Sequence, residues 1–117
     1  MAGEAQDDCL FCKIVAGAVP ATIVRETETT IAFRDINPQA PTHVLVIPKA
    51  HYRDVAALAA DAPELAADVL RETREVAELD KLESYRTVFN TGAGAGQTVW
   101  HAHAHVVGGR GLHWPPG

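Results

Sequence analysis

The chain has 117 residues, 47% of them hydrophobic, enough for one domain with a real core and too few for a second. A net charge of −5 with no basic stripe argues against a nucleic-acid backbone as partner, although a local pocket can still take a free mononucleotide. The longest apolar runs are far short of a membrane span, and the polar, acidic start has no signal-peptide core, so a cytoplasmic address is the default expectation.

Residues 1–8 read as a loose tail ahead of a single domain over 9–117. Leu10, Phe11, Ile14 and Val15 have helical spacing, and Gly17 is placed to end that short helix. Cys9 and Cys12 form one C-x-x-C, which is half a zinc site, a redox pair or two buried thiols. Strands are expected over 21–26 and 30–34, joined as a hairpin by the polar turn 26–29. Residues 37–41 hold two prolines and cannot be regular structure. The apolar run from His43 to Pro48 suggests a central strand covered on both faces. Asp61 as cap, Pro63 in the first turn and Glu64 three residues after the cap open one long amphipathic helix over about 61–79. Residues 86–91 read as the next strand.

Asn90 opens a Gly/Ala loop that Gln97 and Thr98 close. Its glycines allow positive φ and let backbone N–H groups approach an anion such as phosphate; a plain flexible connection accounts for the loop equally well. It is neither a Walker loop nor the dinucleotide fingerprint. Then comes Trp100-His101-Ala102-His103-Ala104-His105-Val106-Val107. In an extended chain the three imidazoles share one face, roughly 6.6–6.8 Å apart, while Ala102, Ala104 and Val106 face a packed layer. Such a row suits a metal site, or covalent catalysis in which one imidazole attacks and its neighbours manage protons and charge. The spacing alone does not choose between them. The element order gives an α+β fold, an antiparallel sheet of about five strands with one short and one long helix.

The run His101–Val107 resembles the alternating signature of the histidine triad (HIT) family. Phe33-Arg34-Asp35-Ile36-Asn37-Pro38-Gln39-Ala40-Pro41-Thr42-His43-Val44-Leu45-Val46-Ile47-Pro48-Lys49 resembles the family's other long block. Gly108-Gly109-Arg110 and the ending from His113 to Gly117 look like its Hint branch. The resemblance spans Cys9 to Gly117. It implies a two-fold dimer through the long helix and a sheet edge, with Trp114 reaching toward the partner's site; covering an exposed edge strand makes physical sense of the dimer. It also implies a pocket for a purine base built from Leu10, Phe11, Ile14, Val19, Phe33 and Ile36, which pattern alone would read as ordinary core. Asp35 would accept hydrogen bonds from ribose hydroxyls; the local alternative is a turn aspartate. His43 would orient a triad imidazole and fix its tautomer. Similar bacterial proteins carry zinc on the combination Cys9, Cys12, His51 and His101. His51 could otherwise be a surface or phosphate-side histidine.

The implied reaction is hydrolysis of a purine nucleoside 5′-phosphoramidate, with no cofactor required for catalysis. His103 attacks the α-phosphorus, and water releases the nucleotide from the covalent intermediate. A histidine near its reference pKa of about 6.5 would give the leaving nitrogen its proton, His105 and His101 being candidates. Backbone N–H groups around Gly96, Gln97, Thr98 and His105 would steady the phosphoryl oxygens, with Asn90 and Thr98 adding polar contacts. Thr98 stands where close relatives usually have serine, and Trp100 is bulkier than usual. Two rivals come from other classes. A metallohydrolase would use His101, His103 and His105 as ligands and lose activity on chelation. A non-catalytic nucleotide-binding or scaffolding module would not need His103.

Overall fold

One antiparallel sheet organises the molecule. Its strands are β1 (Ile23–Glu26), β2 (Thr30–Arg34), β3 (Thr42–Pro48), β4 (Tyr85–Val88) and β5 (Ala104–Gly108), in the spatial order β1-β2-β3-β5-β4. The helices are α1 (Leu10–Val15), α2 (Val55–Asp61) and α3 (Pro63–Leu79). The structure is a computed structural model and describes residues 3–117. The α+β fold with five antiparallel strands is as the sequence predicts.

Every residue of β3 is buried, as the continuous apolar run requires of the middle strand. Its residues alternate between two cores. Val44 and Val46 pack with Ala32, Ala102, Ala104 and Val106 against Leu58 of α2 and Val69 and Val76 of α3. Leu45 and Ile47 pack on the opposite face with Ile31, Phe33 and the α1 residues Phe11, Cys12 and Ile14. Burying each large aliphatic here is worth about 1.5–3 kcal/mol. Polar ties fix α3 to the sheet. Arg25 grips the buried Glu72 through Nε (2.7 Å) and Nη2 (3.3 Å), and Asp80 accepts from Arg34 Nη2 (2.9 Å) and Thr42 Oγ1 (2.7 Å).

The helical part differs from expectation. The long helix expected over 61–79 is α3, which starts at Pro63, and a further helix that the pattern did not reveal, α2, precedes it, so the described residues hold three α-helices. Asp61 ends α2, and Ala62 breaks the run with φ −142° and ψ 66° because the residue before a proline is pushed out of the helical region. The capping aspartate is Asp54, whose carboxylate accepts the Ala57 N–H (2.9 Å) at the start of α2. Strand ends also shift: β1 starts at Ile23 and β4 ends at Val88.

The triad run is strand only from Ala104. Pro48 ends β3 and has no N–H for the ladder, and its carbonyl accepts from the His101 ring. Ala102 N–H goes instead to the Tyr52 carbonyl (2.7 Å). The alternation still extends back through residues 101–103. Ala102 lies in the helix-side core, while His101 and His103 lie with their ring centroids 6.0 and 5.1 Å from that of Phe11.

The described part of the tail expected over 1–8, residues 3–8, is largely exposed and makes a few contacts with the domain. Gly3 and His51 exchange backbone hydrogen bonds (2.6 and 3.3 Å), and Gln6 N–H points at Cys12 Sγ (3.5 Å). Met1 and Ala2 lie outside the described residues.

Candidate functional site

Four predicted ligands meet in a buried cluster. Cys9 caps α1, its sulfur accepting the Cys12 N–H (3.3 Å), so the helix start aims both thiols the same way. His51 follows β3 and His101 precedes β5. His101 Nδ1 lies 3.4 Å from Cys9 Sγ and 3.6 Å from Cys12 Sγ, and His51 Nδ1 lies 3.3 Å from Cys12 Sγ. All four donor atoms fall within 4.8 Å of one another, and all four residues are buried. A tetrahedral zinc with Zn–S near 2.3 Å and Zn–N near 2.05 Å requires S···N edges of about 3.5–3.6 Å. The donor set, its spacing and its burial therefore fit zinc. Burial lowers the pKa of His51 and brings that of His101 to about 4, keeping both rings neutral as ligation requires. His101 Nε2–H donates to the Pro48 carbonyl (2.8 Å), an outer-shell bond that leaves Nδ1 to face the thiols.

The other two triad imidazoles have tautomers that follow from their partners. His103 Nδ1–H donates to the His101 carbonyl (2.7 Å), so its lone pair sits on Nε2. Burial lowers its pKa and keeps that lone pair unprotonated. His43 Nδ1 accepts the Gln39 N–H (3.1 Å), which places the His43 proton on Nε2. From there it is donated to His105 Nδ1 (2.9 Å), so His105 carries its own proton on Nε2. That buried Nε2–H has no partner among the described residues. Burial first, then the neighbouring His103 and His43, lower the His105 pKa to about 4. The His103 and His105 ring centroids are 5.0 Å apart. Asp35 Oδ2 lies 3.5 Å from His43 Nε2, and its Oδ1 accepts the Asn37 N–H (2.8 Å). A free Nε2 lone pair thus stands beside a free Nε2–H donor.

A cavity of about 360 Å³ opens between α1 and β2. The predicted Leu10, Phe11, Ile14, Val19, Phe33, Asp35, Ile36 and Thr98 all line it. Leu45 and Val99 also line it and were missed by sequence reasoning. Phe11 makes T-shaped ring contacts with both Phe33 and His103, joining the cavity to the triad.

The Gly loop is tighter than expected. Gly92 and Gly96 take φ of 92° and 97°, which a side chain would strain, around a 3-10 turn over Ala93–Ala95. Gly96 N–H and Gln97 N–H are used within it, bonding to the Ala93 and Gly92 carbonyls (3.0 and 3.1 Å). The Gln97 side chain is buried and braces the loop. Its Oε1 accepts the Gly92 N–H (2.9 Å), and its Nε2 donates to the Arg53 and Val99 carbonyls (2.8 and 3.0 Å). Asn90 packs against Gly96. Trp114 stands in the C-terminal tail with 82% of its surface exposed and does not line the cavity.

Two sequence expectations change. His101, His103 and His105 do not converge on a common point, because their Nδ1 atoms face the thiols, a backbone carbonyl and His43 respectively. The three together form no metal-holding group among the described residues; His101 joins the thiols and His51, and His105 lies with Asp35 and His43, their donor atoms within 4.8 Å of one another. Neither His101 nor His105 stores a proton at neutral pH, since burial brings both to about 4.

Residues 16–112 match the model of the HIT domain. The chain is 46% identical over 112 residues to an uncharacterized HIT-like protein of Synechococcus elongatus, covering 95% of this chain and 98% of that one. It is 44% identical to a 14 kDa zinc-binding protein of Zea mays, covering 92% and 87%. The crystal structure of a HIT family hydrolase from Legionella pneumophila superposes with a TM-score of 0.90 at 48% identity, covering 94% of this chain and all of that one.

Proposed function

The chain belongs to the HIT domain family, and from that footing we propose that it is a hydrolase that cleaves the P–N bond of purine nucleoside 5′-phosphoramidates. The observation that carries this reading is the complementary pair of tautomers: an unprotonated Nε2 on His103 beside an unpartnered Nε2–H on His105. The purine enters the apolar cavity, and Asp35 at its polar end takes the ribose hydroxyls.

His103 Nε2 attacks the α-phosphorus. A P–N bond to the imidazole forms as the bond to the amine breaks, and the amine takes a proton from solvent past the exposed Thr98, whose hydroxyl orients it. His105 contributes a hydrogen bond from Nε2–H to the phosphoryl oxygen, strongest as charge builds there. His43, whose own tautomer the Gln39 N–H sets, holds His105 in the donating tautomer. Water then attacks the same phosphorus, releasing the nucleoside monophosphate and restoring neutral His103. Cys9, Cys12, His51 and His101 would hold zinc, whose chemistry there is to cross-link three chain segments; no catalytic step passes through it. The family reading also includes a two-fold dimer. Leu70 and Leu79 on α3 and Tyr85 on the edge strand β4 are exposed and would meet their copies there. No helix among the described residues is long and apolar enough to cross a membrane, and two free thiols suit a reducing, cytoplasmic setting.

Single-turnover mass spectrometry with an adenosine 5′-phosphoramidate tests the reading. One nucleotidyl group should appear on wild-type His103 and be absent from His103→Ala. Tight nucleotide binding with neither adduct nor turnover would instead make this a binding module.

A further inference from the structure

We infer that Cys9, Cys12 and His51 are positioning residues for the nucleophile, acting through the one peptide group between His101 and Ala102. The inference rests on the reading of His103 as nucleophile and of the thiol–imidazole cluster as a zinc site.

The carbonyl of that peptide accepts the His103 Nδ1–H (2.7 Å), which keeps the attacking lone pair on Nε2. Its N–H, that of Ala102, donates to the Tyr52 carbonyl (2.7 Å). The peptide is therefore held at both polar ends, by the His103 ring and the Tyr52 carbonyl, and the chain on each side of it adjoins the cluster. His101 itself supplies the carbonyl, and Tyr52 directly follows His51. The two cluster imidazoles are fixed in turn. His101 is gripped at Nε2 by Pro48 (2.8 Å) and faces the thiols with Nδ1, while His51 faces Cys12 with Nδ1. Closing the cluster on a zinc ion locks residues 51 and 101, and with them the plane of the peptide between the Tyr52 carbonyl and the His103 ring. Opening the cluster frees the His51 ring, leaves His101 held only through Nε2 by Pro48, and lets that plane tilt. An imidazole released from the His101 carbonyl can move its proton to Nε2, and that tautomer carries its lone pair on Nδ1, the nitrogen facing away from the attacking position. The cluster thus acts on the fraction of molecules holding His103 in the attacking form, leaving the base cavity unchanged. Zinc's role then extends beyond holding the fold together.

The test compares zinc-loaded protein, protein stripped by a chelator under reducing conditions, and His51→Gln, which removes one ligand and keeps the Cys pair. Three quantities are read: AMP affinity, kcat on an adenosine 5′-phosphoramidate, and the ¹⁵N shifts of the His103 ring. The expected result in stripped and His51→Gln protein is retained AMP affinity and a kcat lower by about 10- to 100-fold, the range for outer-shell partners of functional groups. His103 should pass from one tautomer to a mixture, and zinc chloride should restore the stripped wild type. A folded, stripped protein that keeps its kcat and its single tautomer, losing only thermal stability, would overturn the inference. If stripping unfolds the chain, His51→Gln in the presence of zinc decides by the same readouts. Failure of the loaded wild type to turn over or form an adduct would count against the phosphoramidase reading alone, because the tautomer comparison needs no substrate.

Discussion

His43 Nε2 and His105 Nδ1 lie 2.9 Å apart, and the Gln39 N–H on the far side of His43 settles which of them donates. A backbone amide in the proline-containing loop before β3 thereby decides where the proton of a triad histidine sits. Replacing His43 with alanine removes the donor and lets His105 carry its proton on either nitrogen. We expect kcat to fall about 10- to 100-fold with nucleotide affinity little changed. Steady-state kinetics beside AMP titration checks the split; a loss confined to KM would count against an orienting role.

Acid should destabilise the fold before the carboxylates titrate. The unfolded His105 ring takes up a proton near 6.5, whereas the folded ring does so only near 4. The folded pKa is depressed and the neutral form is the one the fold prefers. Full stability is therefore present above about 6.5 and declines as pH falls toward about 4, because the unfolded chain gains the proton first. The slope for one excluded proton is at most about 1.4 kcal/mol per pH unit. Urea unfolding at pH 7.0, 5.5 and 4.5 measures it, and His105→Gln should reduce the slope by that one proton's share, the lowered pKa values of His51, His101 and His103 keeping the rest.

Gln97 uses both ends of its amide inside the loop. Gln97→Glu keeps the acceptor for Gly92 but loses both donors, leaving the Arg53 and Val99 carbonyls facing a carboxylate. A loss of about 1–3 kcal/mol is expected from unsatisfied buried groups. Because Val99 and Thr98 line the cavity, KM should rise as well. Thermal melts and Michaelis–Menten kinetics on the same variant test both effects.

Asp80 ties the end of α3 to Arg34 and Thr42, and the Arg34 hydrogen bond first, then that from Thr42, lowers its pKa. The stability it supplies is present above about 3.8, the unperturbed value, and is lost as pH falls through the lower folded value. Asp80→Asn should cost about 1–2 kcal/mol at pH 7, reduced from a fully buried pair by the partial exposure of Arg34. Equal stabilities at pH 7 would refute the tie.

The proposed dimer is checked on α3, where 53% of Leu70 is exposed. Leu70→Glu should shift sedimentation velocity toward the monomer with the far-UV spectrum unchanged. An unaltered sedimentation coefficient would place any dimer contact elsewhere.

Alternation of histidine with alanine made the triad legible, because period two survives even where residues 101–103 leave the strand. The cavity was legible only by family likeness: Leu10, Phe11 and Ile14 have the spacing of any core helix. Leu45 escaped because a residue in a fully buried strand looks the same whether it meets a helix or a ligand. For the loop, composition does not reveal that the Gly96 and Gln97 N–H groups bond within the turn. Helix α2 was missed because its alanine-rich run carries little contrast between faces. The N-terminal docking rests on backbone pairing between Gly3 and His51, for which side chains give no signal.

Ala102, Ala104 and Val106 lie under α2 and α3 with at most 1% of their surface exposed, while their histidine neighbours look the other way. The sheet is one residue thick, so any side chain enlarged on the helix side would push the backbone that carries the imidazoles. The methyl groups of the signature are therefore bound by the same geometric tolerance as its rings, although they never see a ligand. Freedom to retune the protein for a different base or substituent lies at the cavity mouth, where Leu10 and Ile36 are exposed and their replacement disturbs no buried layer.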